Sequence, residues 1–303
     1  MKNLNRDQVI YTMSREHRPV LTVKSGETVT VHTYDCFKDR LVPEDSSFDS
    51  LLFDELNPAT GPIFVEDAKP GDTLRADILD ISLAPLGVTE IDPEFGCLAK
   101  LVKKPVVKRL PVENKKIIFS PKLSLDLKPM IGVIGVAPAD RDIPTDTPDS
   151  HGGNMDCKMI TADSTLWLPV NVPGALFGLG DLHAAMGDGE VSVGGLEIPG
   201  EVLVELTVVK TRRLPLPMLE NSETLFTLAS AQTLDDAAAL ATRNMAHFIA
   251  DNTSLMLADA ISILSIAGDL QICQVVDPLK TCRYALPKSV AEQLSLSVEG
   301  EHA

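Results

Sequence analysis

The sequence predicts a mainly β fold of the α+β class, in one domain, with a pair of helices late in the chain. Three observations carry this. Apolar and polar residues alternate over short runs, the 21 prolines and 19 glycines are spread along the whole length, and helical periodicity shows mainly once, toward the C-terminus.

An early run, Thr28-Val29-Thr30-Val31-His32, sets Val29 and Val31 on one face and its polar residues on the other. A later one sets Val202, Val204, Leu206 and Val208 against Glu201, Glu205 and Thr207. Similar turns precede such runs: Lys24-Ser25-Gly26-Glu27, Lys69-Pro70-Gly71-Asp72 and Ile198-Pro199-Gly200-Glu201. Each has the chemistry of a strand-entry turn with positive φ at Gly. Generic turns explain these echoes at least as well as an internal duplication. Farther on, Thr233 can cap a helix whose Ala237, Leu240, Ala241, Met245 and Phe248 fall at helical spacing. A second helix starts near Thr253-Ser254, carries Leu257, Ile261 and Leu264, and stops at Gly268. The break at Asp251-Asn252 makes the pair an αα-hairpin over about 233–268. Residues 1–303 read as a single domain.

With 44% hydrophobic and 23% charged residues, the 303-residue chain can bury a sizeable core. Its net charge of −16 repels phosphates and anionic lipid, which excludes nucleic acid and membrane surfaces as expected partners. Five cysteines without a CxxC pair argue against a disulfide framework and a thiolate zinc knuckle. Met1 to Asp7 has no apolar signal region, and Leu255 to Gly268 is too short to span a bilayer. A cytoplasmic protein is expected.

Chemistry concentrates in the middle of the chain. His151 and His183 sit in glycine-rich settings, each with an Asp five positions later: Asp156 and Asp188. Imidazole with carboxylates suits zinc, and carboxylates with waters suit calcium or magnesium. The same groups serve general acid–base catalysis when burial shifts their pKa values. Turns and surface loops use the same residues, so spacing alone leaves these alternatives open.

The segments His151-Gly-Gly-Asn-Met-Asp156, Leu166 to Phe177 and Gly180-Asp-Leu-His-Ala-Ala-Met-Gly-Asp-Gly-Glu190 together resemble the signature of the acetamidase/formamidase family. Asn57 to Glu66, Lys69 to Leu74, Ile131 to Pro138 and Ile272 to Asp277 resemble further family segments in the right order. The resemblance implies hydrolysis of short linear amides, formamide, acetamide or a somewhat larger one, to acid and ammonia. It also implies a jelly-roll-like β-sandwich, a homo-oligomer, and a divalent ion, zinc or calcium, beside catalytic carboxylates.

On matching positions the resemblance carries over Asp35, His151, Asn154, Asp156, His183, Asp188 and Glu190. Asp35, Asp156 and His183 are the expected metal ligands, and they join Glu190, the expected general base, in catalysis. His151, Gly152, Gly153, Asn154 and Asp188 are expected to bind substrate, with Gly152, Gly153 and Asn154 as oxyanion donors. Two positions depart from the family pattern: Leu182 replaces a Gly and Met186 a Gln, which points to a larger or more apolar acyl group. Cys157 reads as structural, Trp167 as core and His32 as surface. The alternative is a β-sandwich whose carboxylates bind a cation to brace an oligomer, without amidase activity.

Overall fold

The computed structural model describes residues 2–210 and 214–299. Two sheets face each other across one apolar core. The larger has nine strands, in the order Lys2–Leu4, Glu27–Thr33, Gly200–Val209, Thr73–Leu83, Ser164–Pro169, Met218–Glu220, Thr224–Ala231, Lys280–Pro287 and Asp269–Gln274. All pairs are antiparallel except Lys2–Leu4 with Glu27–Thr33 at the edge. The smaller, six-stranded sheet runs Gly152–Asn154, Met130–Gly135, Phe177–His183, Ala59–Val65 and Val9–Ile10, with Leu21–Val23 added in parallel to Ala59–Val65. Val29, Val31, Val202, Val204 and Leu206 from the larger sheet meet Ile63, Ile131, Ile134 and Leu179 from the smaller. The expected β-sandwich is thus present.

Alternation explains the faces. Along Glu27–Thr33, Val29 and Val31 are buried, while His32 turns outward and sets Nδ1 3.1 Å from Glu201 on the paired strand. The entry turns at Gly26 and Gly71 are alike: φ is 82° and 99°, and in each an acid three residues on accepts from the amide of Lys24 or Lys69. Gly200 lacks the positive φ, so the third echo is a likeness of sequence only. A further hairpin, Val106–Glu113 with Lys116–Ser120, turns through Asn114 and Lys115, both left-handed, as a two-residue type I′ loop requires.

Among the described residues, three α-helices lie in the C-terminal part: α1 (Leu234–Asn252), α2 (Leu257–Ala267) and α3 (Lys288–Gln293). The Thr233 hydroxyl accepts from the Asp236 amide at 3.1 Å and caps α1, whose Ala237, Ala241, Met245 and Phe248 are buried. The break between α1 and α2 comes later than the sequence suggests. Asn252 Nδ2 and Thr253 Oγ1 donate back to the Phe248 and Ile249 carbonyls, so α1 runs on through Asn252. Helix α2 then begins at Leu257, not near Thr253. Gly268 ends it, its amide donating to the Leu264 carbonyl. Trp167 packs beneath these helices, in a second core cluster with Met245 and Leu286. Among the described residues no helix is long and apolar enough to cross a membrane.

Candidate active site

The site grows from the buried middle strand of the smaller sheet, Phe177–His183. Strand alternation turns Asp181 and His183 to one face and sends Leu182 into the sandwich core. On the neighbouring strand Gly132 stands opposite Asp181. Its missing side chain leaves room for two carboxylates: a Cβ there would lie 2.5 Å from Asp156 Oδ1 and from Asp181 Oδ2.

Four carboxylates converge on His183. Its Nε2 lies 3.1 Å from Glu197 Oε1, 3.5 Å from Asp181 Oδ1, 3.8 Å from Asp156 Oδ1 and 3.9 Å from Glu190 Oε1. All five residues are buried. Asp156, Asp181 and Glu190 have left-handed backbones, φ 42°, 56° and 48°, a region that side chains disfavour and functional sites concentrate.

The carboxylates are crowded and short of donors. Both oxygens of Asp156 and Glu197, Asp181 Oδ1, Glu190 Oε2 and His183 Nδ1 have no hydrogen-bond partner. Burial pushes the Glu197 carboxyl up to about 8 and Asp156 up to about 6, with the Asp181 charge adding to both. Burial and the Asp156 charge hold Glu190 well above its usual range. Burial also works against a charged His183, but the Glu197 and Asp181 carboxylates outweigh it and raise the imidazole well above its ordinary value. One atom from each of Asp156, His183 and Glu190 falls within 4.8 Å of the others, and Cys36, Asp181 and Glu197 form a second such group. Imidazole nitrogen and unpaired carboxylate oxygens are a donor set that fits zinc, or calcium with further oxygens.

Above the cluster opens a cavity of about 530 Å³. Asn154, Asp181, His183, Glu190, Glu197 and Asp277 form its polar floor. Burial, with the Asp156 charge, raises the Asp277 carboxyl well above its usual range as well.

Other residues singled out from the sequence lie elsewhere. Asp35 belongs to neither ligand group, because its strand-end turn claims half of the carboxylate. Its Oδ1 accepts from the amides of Phe37 at 3.0 Å and Asp39 at 2.6 Å, while burial raises its pKa to about 7. His151, Gly152 and Gly153 do not line the cavity. Burial lowers the His151 imidazole to about 4. The two glycines serve strand packing instead: a Cβ on Gly152 would meet the Ile134 carbonyl at 2.3 Å.

Asp188 is likewise withdrawn from the substrate role. Its oxygens take two 2.8 Å hydrogen bonds from the buried Arg283 guanidinium, and Lys158 adds an ion pair at 2.9 Å. Burial favours the neutral acid, yet these two cations hold the Asp188 carboxyl below its usual range. Lys158 follows Asp156 by two positions and Asp188 precedes Glu190 by two, so the brace ties together the two loops that carry site carboxylates. Arg283 also reaches Cys157 and Cys273. Burial opposes ionisation of Cys157, but the Cys273 thiol and Arg283 lower it to about 7. Cys157 does not line the cavity, in keeping with a structural role.

Sequence reasoning passed over Asp181, Glu197, Cys36 and Asp277. For Asp181 the signal was available: two residues before His183 on one strand means the same face. Glu197 between Leu196 and Ile198 is also a lone carboxylate in an apolar run.

Comparison with known proteins now bears on this geometry. The sequence model of the Acetamidase/Formamidase family matches residues 7–146 and 139–226. The crystal structure of an acetamidase from Bacillus halodurans is 45% identical, with a TM-score of 0.94 over 96% of this chain and 99% of that one. This chain belongs to the acetamidase/formamidase family. A second crystal structure, of a predicted acetamidase/formamidase from Thermoanaerobacter tengcongensis, is 43% identical, with a TM-score of 0.96 over 98% of each chain. A formamidase of Methylophilus methylotrophus is 25% identical over an alignment of 256 positions that covers 63% of this chain and 61% of the relative. The chain thus spans less than two thirds of that formamidase's length. In this family member the segment from Asn154 to Glu190 supplies most of the His183 cluster. The two departures from the family pattern, Leu182 and Met186, do not line the cavity.

Proposed function

We propose that this chain hydrolyses primary amides to a carboxylic acid and ammonia at the His183 cluster. The observation that carries the reading is the convergence of buried, unpaired carboxylate oxygens and an imidazole on the floor of an open cavity, in a member of this family. Asp156, His183 and Glu190 are the residues to hold a divalent ion. Bound there, such an ion supplies Lewis-acid polarisation of the amide carbonyl and acidifies water.

Glu197 then carries the proton. Its Oε1 faces the His183 imidazole at 3.1 Å while its Oε2 has no partner, and its pKa of about 8 lies near neutrality, where a group that first accepts and later donates a proton works best. It takes the proton of the attacking water and returns it to the departing amine. This moves the base assignment from Glu190, whose carboxylate groups with Asp156 and His183. Asn154 lines the cavity, and its carboxamide N–H is a donor for the developing oxyanion. A cation site serving only to brace an oligomer has no use for a cavity of about 530 Å³ opening onto it, which favours the enzyme reading over that alternative.

Two further expectations complete the proposal. Self-association is assigned to exposed Met256, just before α2, and to Leu257, Ile261 and Ile266 on α2, checked by whether Ile261→Asp lowers the mass in solution. Five free cysteines suit a reducing compartment such as the cytoplasm. The deciding experiment measures ammonia release and bound metal in three variants. Glu197→Gln should lose turnover and keep its metal, whereas Asp156→Asn and His183→Ala should lose both. Near-normal turnover in Glu197→Gln removes it from the proton-carrying role.

A further inference from the structure

The cavity is far larger than formamide or acetamide requires. Acetamide has four non-hydrogen atoms and fills roughly the space of three waters, about 90 Å³ at ~30 Å³ each. The cavity measures about 530 Å³, inside the range that accommodates much larger organic ligands. Its lining joins the carboxylate cluster to a set of apolar and aromatic residues. The buried floor holds the carboxylates, His183 and Asn154, while Phe37, Phe48, Leu51, Phe53 and Phe95 supply apolar wall.

We propose that the preferred substrates are primary amides bearing a bulky, neutral, apolar acyl group of about phenylacetyl size, rather than formamide or acetamide. The inference rests on the amide-hydrolase reading above and concerns preference within it. The amide end belongs at the polar floor, beside Glu197 and Asn154. The acyl tail then points toward the mouth, where Phe53 is 59% exposed and Phe95 51% exposed. Both rings line the cavity, and Phe53 stacks edge-on against Phe48 at 5.7 Å between centroids. An aromatic acyl group covers this surface with the offset and edge-on contacts that rings favour. Charge narrows the class further. The lining includes Glu90, Asp92 and Asp146 with Lys280 as a basic residue, so an anionic tail is disfavoured. The apolar lining comes from the 37–57 segment and Phe95, not from Leu182, which is buried in the sandwich core, or Met186.

The test is steady-state ammonia release by the full-length protein, supplied with divalent ion, on formamide, acetamide, hexanamide and phenylacetamide. Apolar contacts in a pocket discriminate by about tenfold per group or more, so kcat/KM for phenylacetamide should exceed that for acetamide at least about tenfold. In the Phe53→Ala/Phe95→Ala double variant that ratio should fall about tenfold, and Phe53→Leu/Phe95→Leu should keep most of it. If amides are hydrolysed with acetamide equal or preferred, this inference is overturned and the amidase reading stands. Ammonia from none of the four overturns both. A ratio unmoved by the alanine pair overturns the role of the aromatic mouth.

Discussion

The contact between Gly132 and the two carboxylates gives the sharpest prediction. Gly132→Ala adds one methyl group, and the backbone there has no positive φ, so the substitution strains no dihedral. The new Cβ would sit 2.5 Å from Asp156 Oδ1 and from Asp181 Oδ2, whereas ordinary contact begins at 3.4 Å. Both oxygens must therefore retreat by close to 1 Å, and a displacement of about 1 Å can cost on the order of 100-fold in rate. Overpacking of a buried site costs about 1–3 kcal/mol, which at this chain length lowers Tm by roughly 2–5 °C. The assay pairs kcat/KM on the best amide with thermal melting, and Gly187→Ala is the control, because nothing lies within 4 Å of a Cβ at that position. Wild-type kcat/KM and Tm in Gly132→Ala would refute the idea that this glycine keeps the space where the two carboxylates meet.

Three other outcomes are expected. Arg283→Lys keeps a cation but loses the fork that grips Asp188, so kcat should fall about tenfold with a smaller change in KM; an unaltered kcat would show that the brace does not position the loops. Cys157→Ser should retain turnover within about twofold, and a loss beyond about 100-fold would contradict a structural role and point to a thiol nucleophile. In metal-free protein, Asp156, Asp35 and Glu197 bind their protons more tightly folded than unfolded, with folded values of about 6, 7 and 8. Their contribution to stability is therefore present at acid pH and is lost as pH rises through those values. Tm should fall between pH 5 and pH 8, and a divalent ion should restore it by binding the ionised carboxylates; a Tm that rises over that window in the metal-free protein contradicts the sign.

Much of this architecture was legible because it rests on local periodicity. Val29 and Val31, or Val202 and Val204, announce a half-buried strand, and Thr233 announces the start of α1. What escaped depends on contacts distant in sequence. Asp188 reads as a substrate-binding residue because it sits on a matching position of the family motif; only the arrival of Arg283, 95 positions later, turns its carboxylate aside. The close of α1 was misplaced because Asn and Thr usually break helices, yet here Asn252 and Thr253 satisfy the terminal carbonyls themselves. The segment from Asp156 to Glu190 stood out by composition, and the structure does bring Asp156, His183 and Glu190 together. Cys36 lacked any such local mark, and Asp277 was marked only as the end of a family-like segment; their place in the cavity follows from how segments distant in sequence close over it.

That closure has a consequence for how the protein is made. Cys36 and Asp277 line one cavity although most of the chain separates them, and Arg283 on a late strand secures the Asp188 loop. Contacts of such long range form slowly, and synthesis delivers the N-terminal elements first. A growing chain that has passed Glu190 already holds most of the acids of the site, but no late strand to fasten them. Competence for catalysis therefore arrives near the end of synthesis rather than step by step along it.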